Sequence, residues 1–279
     1  MHLIKKLRKI KKLPEYLKDK ALKFLDKYFF WPMAWIFGQE LLQELTPYDV
    51  KKFEQKIRLG NLYDGGYVLP ENILPLVEVV YTYGVSNFID FEEDLIRRVN
   101  IPIRLYDHTV NNLPVKNKNF FFKKEGIAEK KHDGFDTFEN HLKENGDMAK
   151  KIFLKIDIEG TEWKIMPDII SKFFDNIIAI ILEIHSLGQK RNFKKYVKVL
   201  NKINSKFTLV HIHGNNCCGT INLKNKKLPR ICELTFLNNN FVKEKSVINY
   251  VLPSKIDYPN IKGREDIKLD FWQDKYYGK

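Results

Sequence analysis

Seven short runs rich in β-branched and aromatic residues recur along this chain, at 77–83, 101–106, 120–124, 152–156, 177–184, 207–212 and 231–237. Between them lie stretches with helical spacing of apolar residues, at 91–99, 136–145, 161–174 and 193–203. Strand–helix alternation leaves few folds open, because parallel strands need crossovers long enough to hold a helix. The last two runs are joined through the polar stretch 214–230, which has no helical pattern. That predicts a terminal hairpin and one reversed edge strand. The expected fold is α/β, a Rossmann-like, doubly wound, seven-stranded and mostly parallel sheet.

Residues 1–45 read differently and are expected to form a basic, amphipathic and aromatic helical extension ahead of a domain at 46–279. Leu3, Leu7, Ile10 and Leu13 recur at helical spacing with lysines between them, and Pro14 punctuates that helix. A second helical stretch with Leu17, Ala21, Phe24 and Leu25 leads into an aromatic patch at 29–37. Two readings stay open. The segment fits an anionic membrane surface, or it is a helical hairpin packed on the domain or on a partner subunit, which would make the chain an oligomer.

The net charge of +13 raises the question of nucleic acid. Residues 1–27 hold ten Lys or Arg against three acids, so they carry +7 of it. Lys also outnumbers Arg 40 to 8, whereas nucleic-acid readers favour the forked guanidinium. Nucleic acid is therefore disfavoured as a partner. No apolar run reaches the length of about 18 residues that a spanning helix needs. Cys217, Cys218 and Cys232 are too few for a disulfide framework. With no signal-peptide pattern at the start, the expected location is cytoplasmic, or peripheral on the inner face of the membrane if residues 1–45 bind lipid.

In an open α/β sheet, ligands bind beyond the carboxyl ends of the strands. The first run is followed by Tyr83-Gly84-Val85-Ser86-Asn87, in which Gly84 permits close backbone approach. Asn87 or Asp90 could cap the next helix. Three-glycine spacing for a dinucleotide is missing. Asp107 ends the second run, 23 residues beyond Gly84, where an acid can accept bonds from ribose hydroxyls. One glycine and a ribose acid without a pyrophosphate loop suit S-adenosylmethionine better than a dinucleotide. Gly126 and Ile127, after the third run, could line an adenine.

The fourth run ends Lys155-Ile156-Asp157-Ile158-Glu159-Gly160-Thr161-Glu162-Trp163. Acids at the end of a buried strand are costly unless paired or used, so Asp157 and Glu159 are candidate catalytic residues, with helix capping as the plainer alternative. The fifth run ends in His185 and the sixth in His213, and both are expected near Asp157. Asp157, His185 and His213 are also the candidate ligands of a divalent metal.

These motifs, with Asp64-Gly65-Gly66-Tyr67 ahead of them, resemble the FkbM-type family of seven-stranded S-adenosylmethionine-dependent methyltransferases over residues 55–240. The resemblance implies the strand order 3-2-1-4-5-7-6. It implies methyl transfer to an oxygen, often of a sugar or glycan precursor, so the partner would be a small-molecule or glycan acceptor. It places Gly84 and its neighbours Tyr83, Val85 and Ser86 against the methionine part, Asp107 at the ribose, and Asp157 and Glu159 toward the acceptor. The usual glycine-rich first loop is here reduced to Gly84.

A sugar hydroxyl is a weak nucleophile, so a general base should help. His185 is the expected base, with Asp157 orienting it. Alternatives are a methyltransferase acting on a membrane-proximal, lipid-linked acceptor, a binding module that kept the fold and lost catalysis, and an RNA methyltransferase. The Asp64-Gly65-Gly66-Tyr67 stretch is expected to be a turn ahead of the domain or a flap over the cofactor. The tail from 253 is expected to pack on a sheet edge.

Overall fold

A computed structural model describes residues 31–223 and 225–273, together with Pro14, Leu17 and Lys20. The first helix expected before residue 29 lies outside the described residues apart from Pro14 at its end, and of the second only Leu17 and Lys20 are described, both helical. The chain enters through α1 (Trp31–Glu44) and forms β1 (Tyr48–Val50), then a hairpin of β2 (Lys56–Gly60) and β3 (Gly66–Pro70). Next come β4 (Val79–Tyr83), α2 (Asp90–Ile96), β5 (Ile103–Tyr106), β6 (Phe120–Lys123), β7 (Gly126–Ile127), β8 (Phe135–Asp136) and α3 (Phe138–Glu144). The second half holds β9 (Ile152–Ile156), α4 (Glu162–Phe173), β10 (Ile177–Ile184), α5 (Phe193–Asn204), β11 (Phe207–Gly214), β12 (Thr220–Leu223), β13 (Lys226–Pro229), β14 (Cys232–Asn238) and β15 (Lys245–Val247).

The fold is α/β around a seven-stranded mixed sheet ordered β6-β5-β4-β9-β10-β14-β11. β6, β5, β4, β9 and β10 are mutually parallel. The expected reversed strand is β14, but it is not at the edge. It lies between β10 and β11, antiparallel to both. Every residue of β14 is buried, as a strand flanked on both sides requires, whereas β6 at the far edge has no fully buried residue.

Side chains alternate between two cores, as strand periodicity demands. Tyr81, Tyr83, Leu154, Ile156, Leu182 and Ile184 face α3, α4 and α5. Val80, Phe153, Ile181, Val210 and Leu237 face α2 and the β2–β3 hairpin. Leu41, Leu42 and Leu45 join the first core, and α1 lies against α5. The end of the expected extension is therefore built into the domain. Among the described residues no helix is long and apolar enough to cross a membrane.

One segment read as a loop is corrected, and the turn expected ahead of the domain is present. The stretch 214–230 contains the β12–β13 hairpin, whose Ile221, Leu223 and Leu228 are buried under lysine-rich strands. The Asp64-Gly65-Gly66-Tyr67 stretch is the turn and first residues of the β2–β3 hairpin, held by Arg58 donating to the carbonyls of Asn61, Leu62 and Tyr63.

Candidate active site at the carboxyl ends of the strands

The loops after β4, β5 and β6 and the turn after β9 enclose a cavity of about 640 Å³. A volume of that order suits a nucleoside-sized ligand. Tyr83, Gly84, Val85, Ser86, Asp107, Gly126, Ile127, Asp157 and Glu159 all line it. His185 stands behind Asp157, and His213 is elsewhere.

Gly84 has φ +80°, and a Cβ there would overlap the carbonyl oxygen of Asp157. The close approach foreseen for a ligand is thus first an approach between two strand ends. Its N–H donates to the Tyr106 carbonyl (3.0 Å), and the Asp157 N–H donates to the Tyr83 carbonyl (3.0 Å). Asp107 fastens the loop beyond. Its Oδ2 accepts the backbone N–H groups of Val85 (3.0 Å) and Ser86 (2.8 Å), and its Oδ1 accepts the N–H (2.7 Å) and hydroxyl (2.6 Å) of Thr109. Four donors fill the lone pairs of a carboxylate. In this geometry Asp107 shapes the loop and has no acceptor left for a ribose hydroxyl. Burial pushes its carboxyl up, but these four bonds outweigh that and hold it below the usual range.

Neither Asn87 nor Asp90 caps α2. Ile89 occupies the cap position with no side-chain bond. Asp157 and Glu159 do not cap α4 either; its cap position belongs to Thr161. The turn after β9 is instead tied by Glu162, which sequence reasoning passed over. Glu162 is buried, and its Oε2 accepts the Gly160 N–H while its Oε1 accepts the His185 N–H, both at 2.7 Å. Trp163 Nε1 donates to the His185 carbonyl (2.8 Å). An acid and an indole at the start of α4 thus grip both backbone polar groups of His185. A glutamate in the first helical turn just after a glycine turn was the available signal.

Asp157 does not hydrogen-bond His185. Oδ1 and Nε2 are 3.8 Å apart, and Oδ2 instead accepts from the Tyr67 hydroxyl (3.1 Å). Glu162 Oε1, 3.4 Å from Nδ1, takes the orienting place expected of Asp157. Burial pushes the Asp157 carboxyl up, against the pull of Lys155, His185 and the Tyr67 bond. Burial lowers the His185 imidazole, but Glu162, Asp157 and Glu159 raise it more. The chain of charges continues inward with Lys155, whose ammonium lies over the Tyr67 and Phe91 rings and 3.6 Å from Glu92.

His213 is corrected as a metal candidate. The strand order inserts β14 between β10 and β11, so His213 sits one strand too far away. Its Nδ1 pairs with Glu233 (3.0 Å) and its Nε2 with Asp266 (3.0 Å). The third member of the group with Asp157 and His185 is Glu183 of β10, two residues before His185 on the same strand face. The tail contributes more than edge packing. Asp257 bonds His211 (2.8 Å), and Asn260 donates to Asp64 (3.1 Å) and Glu233 (2.6 Å).

Three of the five non-glycine residues with positive φ among the described residues, Ser86, Glu159 and Ser186, follow β4, β9 and β10. Such backbone strain clusters where a site dictates geometry. At the opposite end of the cavity, Phe135 lies against Gly126 and meets His108 at a tilt of 45°, with ring centroids 4.6 Å apart. Neither aromatic residue was singled out in the sequence. Cys217 and Cys218 lie in the β11–β12 loop as free thiols, and burial and its neighbour push Cys217 up to about 12, so it is a neutral thiol at pH 7.

No family model matches this chain, and no curated protein matches it.

Proposed function

We propose that this protein is an S-adenosylmethionine-dependent methyltransferase that methylates a hydroxyl of a sugar or glycan precursor. The observation that carries this reading is one cavity with two chemically distinct ends. Loops from three successive parallel strands form an apolar and aromatic end, with Ile127, Phe135 and His108. Two further strands supply an acidic end, with Asp157, Glu159 and His185 behind them. The resemblance of the Lys155–Trp163 motif to FkbM-type enzymes adds to this. So does the sheet order, which reads 3-2-1-4-5-7-6 when its seven strands are counted by themselves.

The residues present fit the cofactor. Gly126 lets the Phe135 ring lie directly on the backbone, that ring and Ile127 line the cavity with apolar surface suited to a flat base, and the Val85–Ser86 backbone is fixed by Asp107. No glycine-rich phosphate cradle is present, which suits a ligand without phosphates. Bound there, S-adenosylmethionine supplies an electrophilic methyl group on a sulfonium.

The protein's share is orientation and proton removal. Asp64, Asp157 and Glu159 offer acceptors to the hydroxyls of a polyhydroxylated substrate. His185, held at its backbone by Glu162 and Trp163, takes the proton from the attacking hydroxyl. Tyr67 keeps Asp157 turned toward the cavity.

The test is label transfer from methyl-labelled S-adenosylmethionine to a panel of nucleotide sugars and glycan precursors. Label should enter a hydroxylated acceptor, and His185→Gln should slow it by about 10²–10⁴-fold. Formation of no methylated product by a protein that also fails to bind cofactor would overturn the reading.

A further inference from the structure

We propose that Asp157, Glu183 and His185 form a divalent-cation site at the acidic end of the cavity. One ligand atom from each lies within 4.8 Å of the others. His185 Nε2 is 3.8 Å from Asp157 Oδ1 and 3.7 Å from Glu183 Oε1. Glu159 Oε2 stands a further 3.6 Å from the same nitrogen. These carboxylate oxygens surround the imidazole outside hydrogen-bond reach. A cation about 2.0–2.2 Å from each donor would set neighbouring donors about 3.0–3.5 Å apart, and the distances from the imidazole to these oxygens are only a few tenths of an ångström longer than that.

Burial makes the arrangement costly without a cation. Glu183 and His185 are each 5% exposed. Nδ1 of His185 is turned to Glu162, so Nε2 is the atom presented to the other three carboxylates. Glu183 faces Glu233 directly across the β10–β14 ladder, with Asp157 on its other side. Buried like charges raise one another's energy unless a positive charge joins them. Lys155 is directed to Glu92.

The ligand set identifies the metal class. Two carboxylates and one imidazole suit Mn²⁺, Fe²⁺ or Zn²⁺ better than Mg²⁺ or Ca²⁺, which prefer all-oxygen sites. Glu162, 3.4 Å from Nδ1, is the outer carboxylate that orients a ligating imidazole. Asp157 also lines the cavity, so open positions on the metal face the acceptor. There the ion would lower the pKa of a hydroxyl bound to it; His185 would then serve as its ligand, and proton removal by His185 applies to the protein without the ion. That chemical role rests on the methyl-transfer reading; the binding site does not.

The experiment titrates the full chain, stripped with chelator and desalted, with Mn²⁺ alone, followed by calorimetry and by the loss of the free-ion spin-resonance signal. One equivalent should bind at micromolar concentration. Glu183→Gln and His185→Gln should each weaken binding at least about tenfold, with folding checked by circular dichroism. Glu162→Gln should weaken it while leaving the stoichiometry at one. The exposed Asp133→Asn should leave it unchanged. No saturable binding of Mn²⁺ or Zn²⁺ to the folded protein at millimolar concentration would overturn the site. So would binding that neither Glu183→Gln nor His185→Gln alters. Cofactor is absent throughout, so either result is separate from the fate of the methyltransferase reading.

Discussion

The hydroxyl of Tyr67 donates to Oδ2 of Asp157 across 3.1 Å, from a hairpin that precedes the sheet to the acid that ends β9. The ring of Tyr67 meets Phe91 edge-on at 5.5 Å, so packing sets the direction of the hydroxyl. Burial, and Asp157 beside it, raise the phenol well above its ordinary value, and it remains a donor at every working pH. Tyr67→Phe keeps the packing and removes one bond to a buried carboxylate. Stability should fall by about 1.5–3 kcal/mol, read from urea midpoints at pH 7. An unchanged midpoint would show that Asp157 finds other partners.

Asp107 should make the β4–α2 loop sensitive to acid. Its folded carboxyl lies below the ordinary value, because the bonds from Thr109, Ser86 and Val85 outweigh burial. The stability it adds is therefore present above an unfolded pKa of about 3.9 and lost as pH falls through the lower folded value. Asp107→Asn should cost about 1–3 kcal/mol at pH 7, since an amide cannot accept all four donors. The gap between the two proteins should close below about pH 4. Denaturation curves from pH 3 to pH 7 measure it, and a gap that stays constant would contradict the assignment.

His213 should act in the opposite direction. Burial disfavours its charge, but Glu233 and Asp266 on either side raise it to about 10. Burial, and His213 itself, lower His211 on the same strand, against the pull of Asp257. A raised histidine contributes fully below its unfolded pKa of about 6.5, and that contribution is lost as pH rises through the folded value. Wild-type stability should fall across this window by up to about 1.4 kcal/mol per pH unit. His213→Gln should be less stable at pH 6.5 and should lack that slope. Parallel pH profiles for the two proteins would remove the ion-pair explanation.

Gly84→Ala should be far more damaging than a surface change. The residue sits at φ +80° with the Asp157 carbonyl where a Cβ would go. Positive φ costs about 1 kcal/mol for alanine, and the overlap forces the β4 and β9 ends apart. A melting temperature lowered by several degrees is expected, well beyond the smaller loss that positive φ alone gives Gly134→Ala. Gly134 also has positive φ but faces open space, so equal losses would show that backbone strain alone is responsible.

Much of the fold is legible in the sequence because apolar periodicity reports burial. All seven sheet strands and four crossover helices fall within a few residues of the runs that predict them. The position of β14 between β10 and β11 is not legible that way, since periodicity says which face is buried and nothing about which strand lies beside which. That same gap misplaces His213 and hides Glu183. Only register shows that Glu183 faces Glu233 and stands beside Asp157 and His185. The residues lining the cavity from Tyr83 to Ile127 are legible because they follow strands. Glu162 and Trp163 escape notice because they act on the backbone of His185, which no local pattern announces. Tyr67 escapes because its partner is 90 residues away.

The central claim is that the cavity between Gly84, Asp107 and Gly126 takes a nucleoside bearing a sulfur side chain. Calorimetric titration of the full chain with S-adenosylhomocysteine tests it most directly. The account predicts one site with micromolar affinity, weakened at least about tenfold (1.4 kcal/mol) by Asp107→Ala, which unfastens the loop. It predicts almost no change from His185→Gln, which lies behind the acidic end. Absence of any binding heat in the folded protein, or equal weakening by both substitutions, would contradict it.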